Sequence, residues 1–132
     1  MPHLYFENAM ARLYAHPDGY ALLRYRPGTR ALSDVQGILT HTGRLLQLRG
    51  WHKLLSDQRQ LTPFTSEEQG VILSYWQARQ TQAGPVVGAV VLAHDVFTRL
   101  SFSHIRHQAE GVLSYQVFEQ ETEAAAWLQQ LA

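Results

Sequence analysis

The sequence predicts an α/β fold: a single mixed sheet in the order βββαβαβαβα. An antiparallel N-terminal meander comes first, then parallel strands joined by crossover helices. Three observations carry this. The hydrophobic period changes from two to about 3.6 after Pro27-Gly28. Apolar strand-like and helix-like segments then alternate to the end of the chain, which implies parallel strands and right-handed connections. The run Val86–Ala93 is apolar throughout, as a strand covered on both faces would be. The 132 residues suit one domain spanning 1–132.

The opening strands are Leu4–Phe6, Ala11–Ala15 and Tyr20–Tyr25, rich in aromatic and branched residues. Pro17-Asp18-Gly19 supplies the turn chemistry between the last two. Val35, Ile38, Leu39, Thr42, Leu45 and Leu46 fall at helical spacing, so a helix is expected from Asp34 to Arg49, opened by Ser33 with Gln36 and closed by Gly50. Its glycines, Gly37 and Gly43, are expected to permit close packing against the sheet. Trp51–Asp57 reads as a strand. Thr65 with Glu68 forms a second capping box, and the next helix places Val71, Ile72, Tyr75 and Trp76 on one face before Gly84-Pro85 stops it. After Val86–Ala93, Asp95 caps a third helix with Val96, Phe97, Leu100 and Ile105 as its apolar side, ended by Gly111. Val112–Phe118 is the last strand. Glu119, Glu121 and Glu123 crowd the first turn of a final helix, whose stripe is Ala124, Trp127, Leu128 and Leu131.

Composition excludes several classes of function. The absence of cysteine rules out disulfides, thiolate metal sites and cysteine nucleophiles. Eleven basic residues balance eleven acidic ones, so no net field draws the chain to nucleic acid or anionic lipid. The longest apolar run is too short for a membrane span, and no signal-peptide pattern opens the chain, so the expected location is the cytoplasm. No G-x-S-x-G, G-x-G-x-x-G or P-loop pattern occurs. Neither a metal nor a cofactor is expected. His104, His107 and Glu110 share a helical face, but that spacing alone is a poor zinc signature, and solvated surface histidines are the simpler reading.

Leu4-Tyr5-Phe6-Glu7-Asn8, Leu55-Ser56-Asp57-Gln58-Arg59, Asp95-Val96-Phe97 and Val117-Phe118-Glu119…Glu123-Ala124-Ala125-Ala126-Trp127-Leu128 occur in this order. Together they resemble the bacterial STAS-like proteins, the superfamily of anti-sigma-factor antagonists. The closer likeness is to the small stand-alone branch that shares its fold with CRAL-TRIO domains. The resemblance implies a non-enzymatic module that binds a protein partner, commonly a kinase-like anti-sigma factor, and is switched by phosphorylation at an Asp-Ser-Ser-Gly motif opening a helix. Counted from Asp57, Thr65 stands on the motif's Asp, Ser66 on its first Ser, Glu67 on the phosphorylated Ser and Glu68 on its Gly. A carboxylate therefore replaces the acceptor. The same residues are also what any helix start prefers.

Asp57 and Arg59 follow a central strand, at the edge where α/β folds place ligand sites, with Asp95 beyond the next strand. Read functionally, Asp57 and Asp95 form a carboxylate pair for acid–base chemistry. Read structurally, Asp57 and Arg59 pair to hold a loop. Three functions follow in order of preference: a protein-interaction module acting as a homodimer, a binder of a small apolar, lipid-like ligand under the second and third helices (lined by Val71, Tyr75 and Phe97), and an enzyme. The basic residues concentrate before Glu67, giving +4 up to Ser66 and −4 from Glu67 on.

Overall fold

The structure is a computed structural model that describes residues 2–108 and 113–131. Its elements are β1 (His3–Glu7), β2 (Ala11–His16), β3 (Tyr20–Tyr25), α1 (Leu32–Arg49), β4 (Lys53–Asp57), α2 (Ser66–Ala83), β5 (Val86–Val91), α3 (Val96–Gln108), β6 (Leu113–Phe118) and α4 (Glu121–Gln130). The six strands form one sheet in the order of the sequence. β1, β2 and β3 pair antiparallel, and β3 to β6 run parallel. The expected mixed sheet and element order are both present.

Every parallel crossover steps in the same direction, so one handedness puts α1, α2 and α3 on one face. α1 packs on α2 and α2 on α3, while α4 lies across β4, β5 and β6. Alternation along the strands separates two cores. Leu13, Val35, Ile38, Leu45, Leu46 and Leu54 are buried beneath the crossover helices. Tyr20, Leu22, Leu55, Ala89 and Val91 are buried with Ala124 and Leu128 of α4. The chain's single lysine, Lys53, fastens α4 from the sheet: its Nζ donates to the carbonyl of Leu128 (2.8 Å), which also accepts the Leu131 N–H, and to that of Leu131 (2.7 Å).

Local chemistry accounts for the boundaries. Gly19 closes the β2–β3 hairpin at φ 89°, its N–H donating to His16. α1 begins two residues before the expected start, because Asp34 and not Gln36 closes the box: its carboxylate accepts the Ala31 N–H at 2.8 Å. At the other end Gly50 is left-handed and the Trp51 N–H donates to Leu46, so Trp51 belongs to the helix cap and β4 starts at Lys53. Thr65 and Glu68 form the expected capping box of α2, at 3.1 and 2.9 Å. The expected strand Val86–Ala93 is interior but stops at Val91, where pairing with Asp57 of β4 ends. Gln120, not Glu119, precedes α4, and Glu119 instead meets Arg99 of α3. Gly111 and Val112 lie outside the described residues.

α3 corrects the sequence reading. Of the four residues expected on its buried side only Ile105 is buried; Thr98, Ser101 and Phe102 join it there. The cause is the loop before α2. Thr98 Oγ1 donates to the Leu61 carbonyl at 2.9 Å, and the Phe64 N–H donates to Ser101 Oγ at 3.1 Å. Those buried backbone groups require polar partners, and meeting them sets the helix rotation.

Candidate interaction face

The carboxyl end of the parallel strands gathers a network of four charged side chains, Arg24, Asp57, Arg59 and Glu121. Register places Arg24 at the end of β3 beside Asp57 at the end of β4. Asp57 is only 4% exposed. Its Oδ1 accepts from the Arg59 backbone N–H (3.2 Å) and Nε (2.9 Å), and its Oδ2 from Arg59 Nη2 (2.8 Å) and Arg24 Nη1 (2.7 Å). Glu121, in the first turn of α4, accepts from the same two guanidinium groups at 2.7 and 2.9 Å. Burial by itself raises the Asp57 pKa, but the hydrogen bonds and charge of Arg59, with Arg24 beyond, outweigh it and hold the carboxyl below its ordinary value.

The Asp57–Arg59 pair expected from the sequence is therefore present, enlarged by Arg24 and Glu121, which the sequence reading missed. An arginine ending an otherwise apolar strand, Tyr20–Tyr25, was the available signal for the first. The Asp57–Asp95 acid–base pair is not assembled. A cavity of about 380 Å³ beside this network is lined by Arg12, Arg24, Arg26, Asp57, Arg59 and His94, among others, but not by Asp95. Asp95 is occupied as the cap of α3, its Oδ2 accepting from the Thr98 N–H (3.0 Å) and sharing with the Leu61 carbonyl the one proton of the Thr98 hydroxyl (2.9 Å). Four donors on Asp57 leave it no free lone pair with which to act as a base.

The start of α2 is fixed by a second pair the sequence did not reveal. Arg30 and Glu68 are both buried, joined at 2.9 Å through Nε and again through Nη2. Burial raises the Glu68 pKa, and hydrogen bonds from Arg30 and the Thr65 N–H bring it below its ordinary value. Thr65, Ser66 and Glu67 are exposed there, with the Thr65 hydroxyl oxygen engaged in the cap. His104 and His107 are exposed on α3, and Glu110 lies outside the described residues. Among the described residues no three His, Asp or Glu side chains converge as a metal site.

Next to the ion-pair network, the first turn of α3 exposes three large apolar side chains: Val96 at 62%, Phe97 at 69% and Leu100 at 57%. No acidic residue lies between Val96 and Gln108, whereas His104, Arg106 and His107 are exposed. The face is therefore apolar at its centre and basic along the helix. Beneath α2 and α3 the interior holds a cavity of only about 30 Å³, lined by Ile72, Trp76, Phe102 and Ile105 among others. Val71, Tyr75 and Phe97, the lining expected for an apolar-ligand site, are not among its walls.

No protein-family model matches this chain, and no curated protein sequence matches it. No helix among the described residues is long and apolar enough to cross a membrane. Among solved structures, the NMR structure of the protein TM1081 superposes with a TM-score of 0.64 over 96% of this chain and 94% of that one, at 12% identity. At that identity the likeness is one of architecture: this chain shares the fold of TM1081 along nearly its whole length.

Proposed function

We propose that the chain is a STAS-like, non-enzymatic interaction module of bacterial signalling that docks a protein partner through the first turn of α3. The single observation that carries this is the outward rotation of Val96, Phe97 and Leu100. An apolar patch held open by internal hydrogen bonds marks a surface meant for covering. The occupant is a protein with an apolar cleft rimmed by carboxylates, complementary to a helix that carries Arg99, His104, Arg106 and His107 and no acid. A homodimer and a cytoplasmic location belong to the same proposal. Ser66 and Glu67, exposed at the start of α2, are the regulatory candidates the resemblance supplies.

The lipid-like alternative has less support, since a cavity of about 30 Å³ has room for about two water molecules and none for an acyl chain. The acid–base alternative needs a carboxylate with free capacity, and Asp57 has none. The test is retention of partners from cells of the source organism by immobilised wild type and by Phe97→Asp/Leu100→Asp. Both sites are exposed, so the variant keeps the wild-type melting temperature. Wild type retains a protein that the variant loses, and with that protein purified the variant's Kd rises about 30-fold or more, as for loss of a hot spot. Identical retention by both proteins refutes the docking role of α3.

A further inference from the structure

A second surface, remote from α3, carries charge that nothing balances. α1 and α2 pack closely where Gly43 faces Tyr75; a Cβ on Gly43 would overlap the Tyr75 hydroxyl and lie 3.5 Å from Arg79 Nε. Glycine at this position opens a groove of about 210 Å³ between the helices, lined by Arg44, Gln47, Tyr75, Arg79 and Gln82, among others. Arg79 is only 8% exposed, and its Nη1 has no hydrogen-bond partner. Neither Arg79 nor Arg44 forms a salt bridge among the described residues. The acidic residues of both helices, Asp34, Glu67 and Glu68, stand at the opposite ends.

A guanidinium nitrogen shut off from water with no hydrogen-bond partner, as Arg79 Nη1 is, costs the fold stability. The helix dipole favours cations in the last turn, which holds Arg49 in α1 and no basic residue in α2, so it accounts neither for Arg44 nor for a buried Arg79 Nη1 that reaches no carbonyl. The walls offer hydrogen-bond donors and no carboxylate. Burial raises the Tyr75 pKa despite the opposing charges of Arg79 and Arg44, so its hydroxyl keeps its proton.

We propose that this groove binds a compact oxyanion of the phosphate type, free or as the phosphoryl group of a small ester, with Arg79 at its floor, Arg44 at its rim and the Tyr75 hydroxyl donating from one side. Guanidinium groups suit such oxyanions because their N–H groups match two oxygens at once. The site is independent of the partner-docking reading.

Titration with inorganic phosphate at constant ionic strength, followed by NMR, tests it. The expected result is saturable shifts at the Arg79 Nε–H and at the amides of Gly43 and Tyr75. Arg44→Ala, at an exposed position, weakens binding about tenfold or more, the range of one charge-assisted hydrogen bond. Arg79→Met abolishes the shifts while raising stability in phosphate-free buffer, because it removes the unpaired charge. Arg26→Ala, in the basic cavity at the carboxyl end of the sheet, leaves the titration unchanged. A parallel titration with glycerol phosphate separates the sources: tighter binding than phosphate identifies an ester, and equal or weaker binding the free ion. Absence of saturable shifts, shifts centred on Arg26 and His94, or an Arg44→Ala protein that binds as wild type overturns the proposal.

Discussion

Loss of the Asp57 charge leaves two arginines with Glu121 as their one carboxylate, because Arg24 and Arg59 both converge on Asp57 Oδ2 and on Glu121 Oε1. Asp57→Asn is expected to cost about 1–3 kcal/mol, below the full value for a buried pair because both guanidinium groups are more than a third exposed. The pH dependence has a definite sign. A carboxyl whose folded-state pKa lies below its unfolded value stabilises the fold above the ordinary carboxylate range and loses that contribution as pH falls through the folded value. Urea unfolding at pH 7 and pH 3 should therefore show the gap between wild type and Asp57→Asn narrowing at the lower pH; an unchanged gap contradicts the assignment. The Asp57–Arg59 half of this network was legible because the residues are two apart. Arg24 and Glu121 were not, since only the parallel register of β3 on β4 and the return of α4 across the sheet bring them there.

Among elements, the helices whose ends carry side-chain signals were read well. Thr65 with Glu68 and Gly84-Pro85 bracket α2 as expected, since capping is local. The buried side of α3 was misread because apolar periodicity cannot register what the loop around Leu61 and Phe64 demands of Thr98 and Ser101. Two glycines separate local propensity from packing. Gly70 lies on the exposed side of α2 with nothing near its absent Cβ, so Gly70→Ala should stabilise by about 0.5–1 kcal/mol. In β5, a Cβ on Gly88 would overlap the ring of Tyr115, its partner on β6, so Gly88→Ala should destabilise by about 1–3 kcal/mol. Thermal melts of the two variants shifting in the same direction contradict this account.

For the whole molecule, the helices mix the two charge halves of the sequence: Glu68 of α2 pairs with Arg30, and Glu121 of α4 with Arg24 and Arg59. Arg26 and Arg49 on the basic side and Glu67 and Glu123 on the acidic side stay outside any salt bridge among the described residues. A two-fold dimer repeats each of its contacts, so unlike charges that meet across its axis meet twice. Sedimentation should accordingly report a dimer at low salt that dissociates as salt is added; a monomer at high concentration and low salt removes the dimer from the proposal. The one-sided placement of α1 to α3 leaves α4 as the cover of the second core, and Lys53, with Gln129 donating to Asp18, fastens its final turn. Reagents that acylate primary amines, the usual means of attaching dyes or coupling a protein to a surface, neutralise that ammonium. The label would thus unlatch the lid over Tyr20, Leu22 and Leu55, and maleimide chemistry at an introduced surface cysteine is the gentler way to tether this protein.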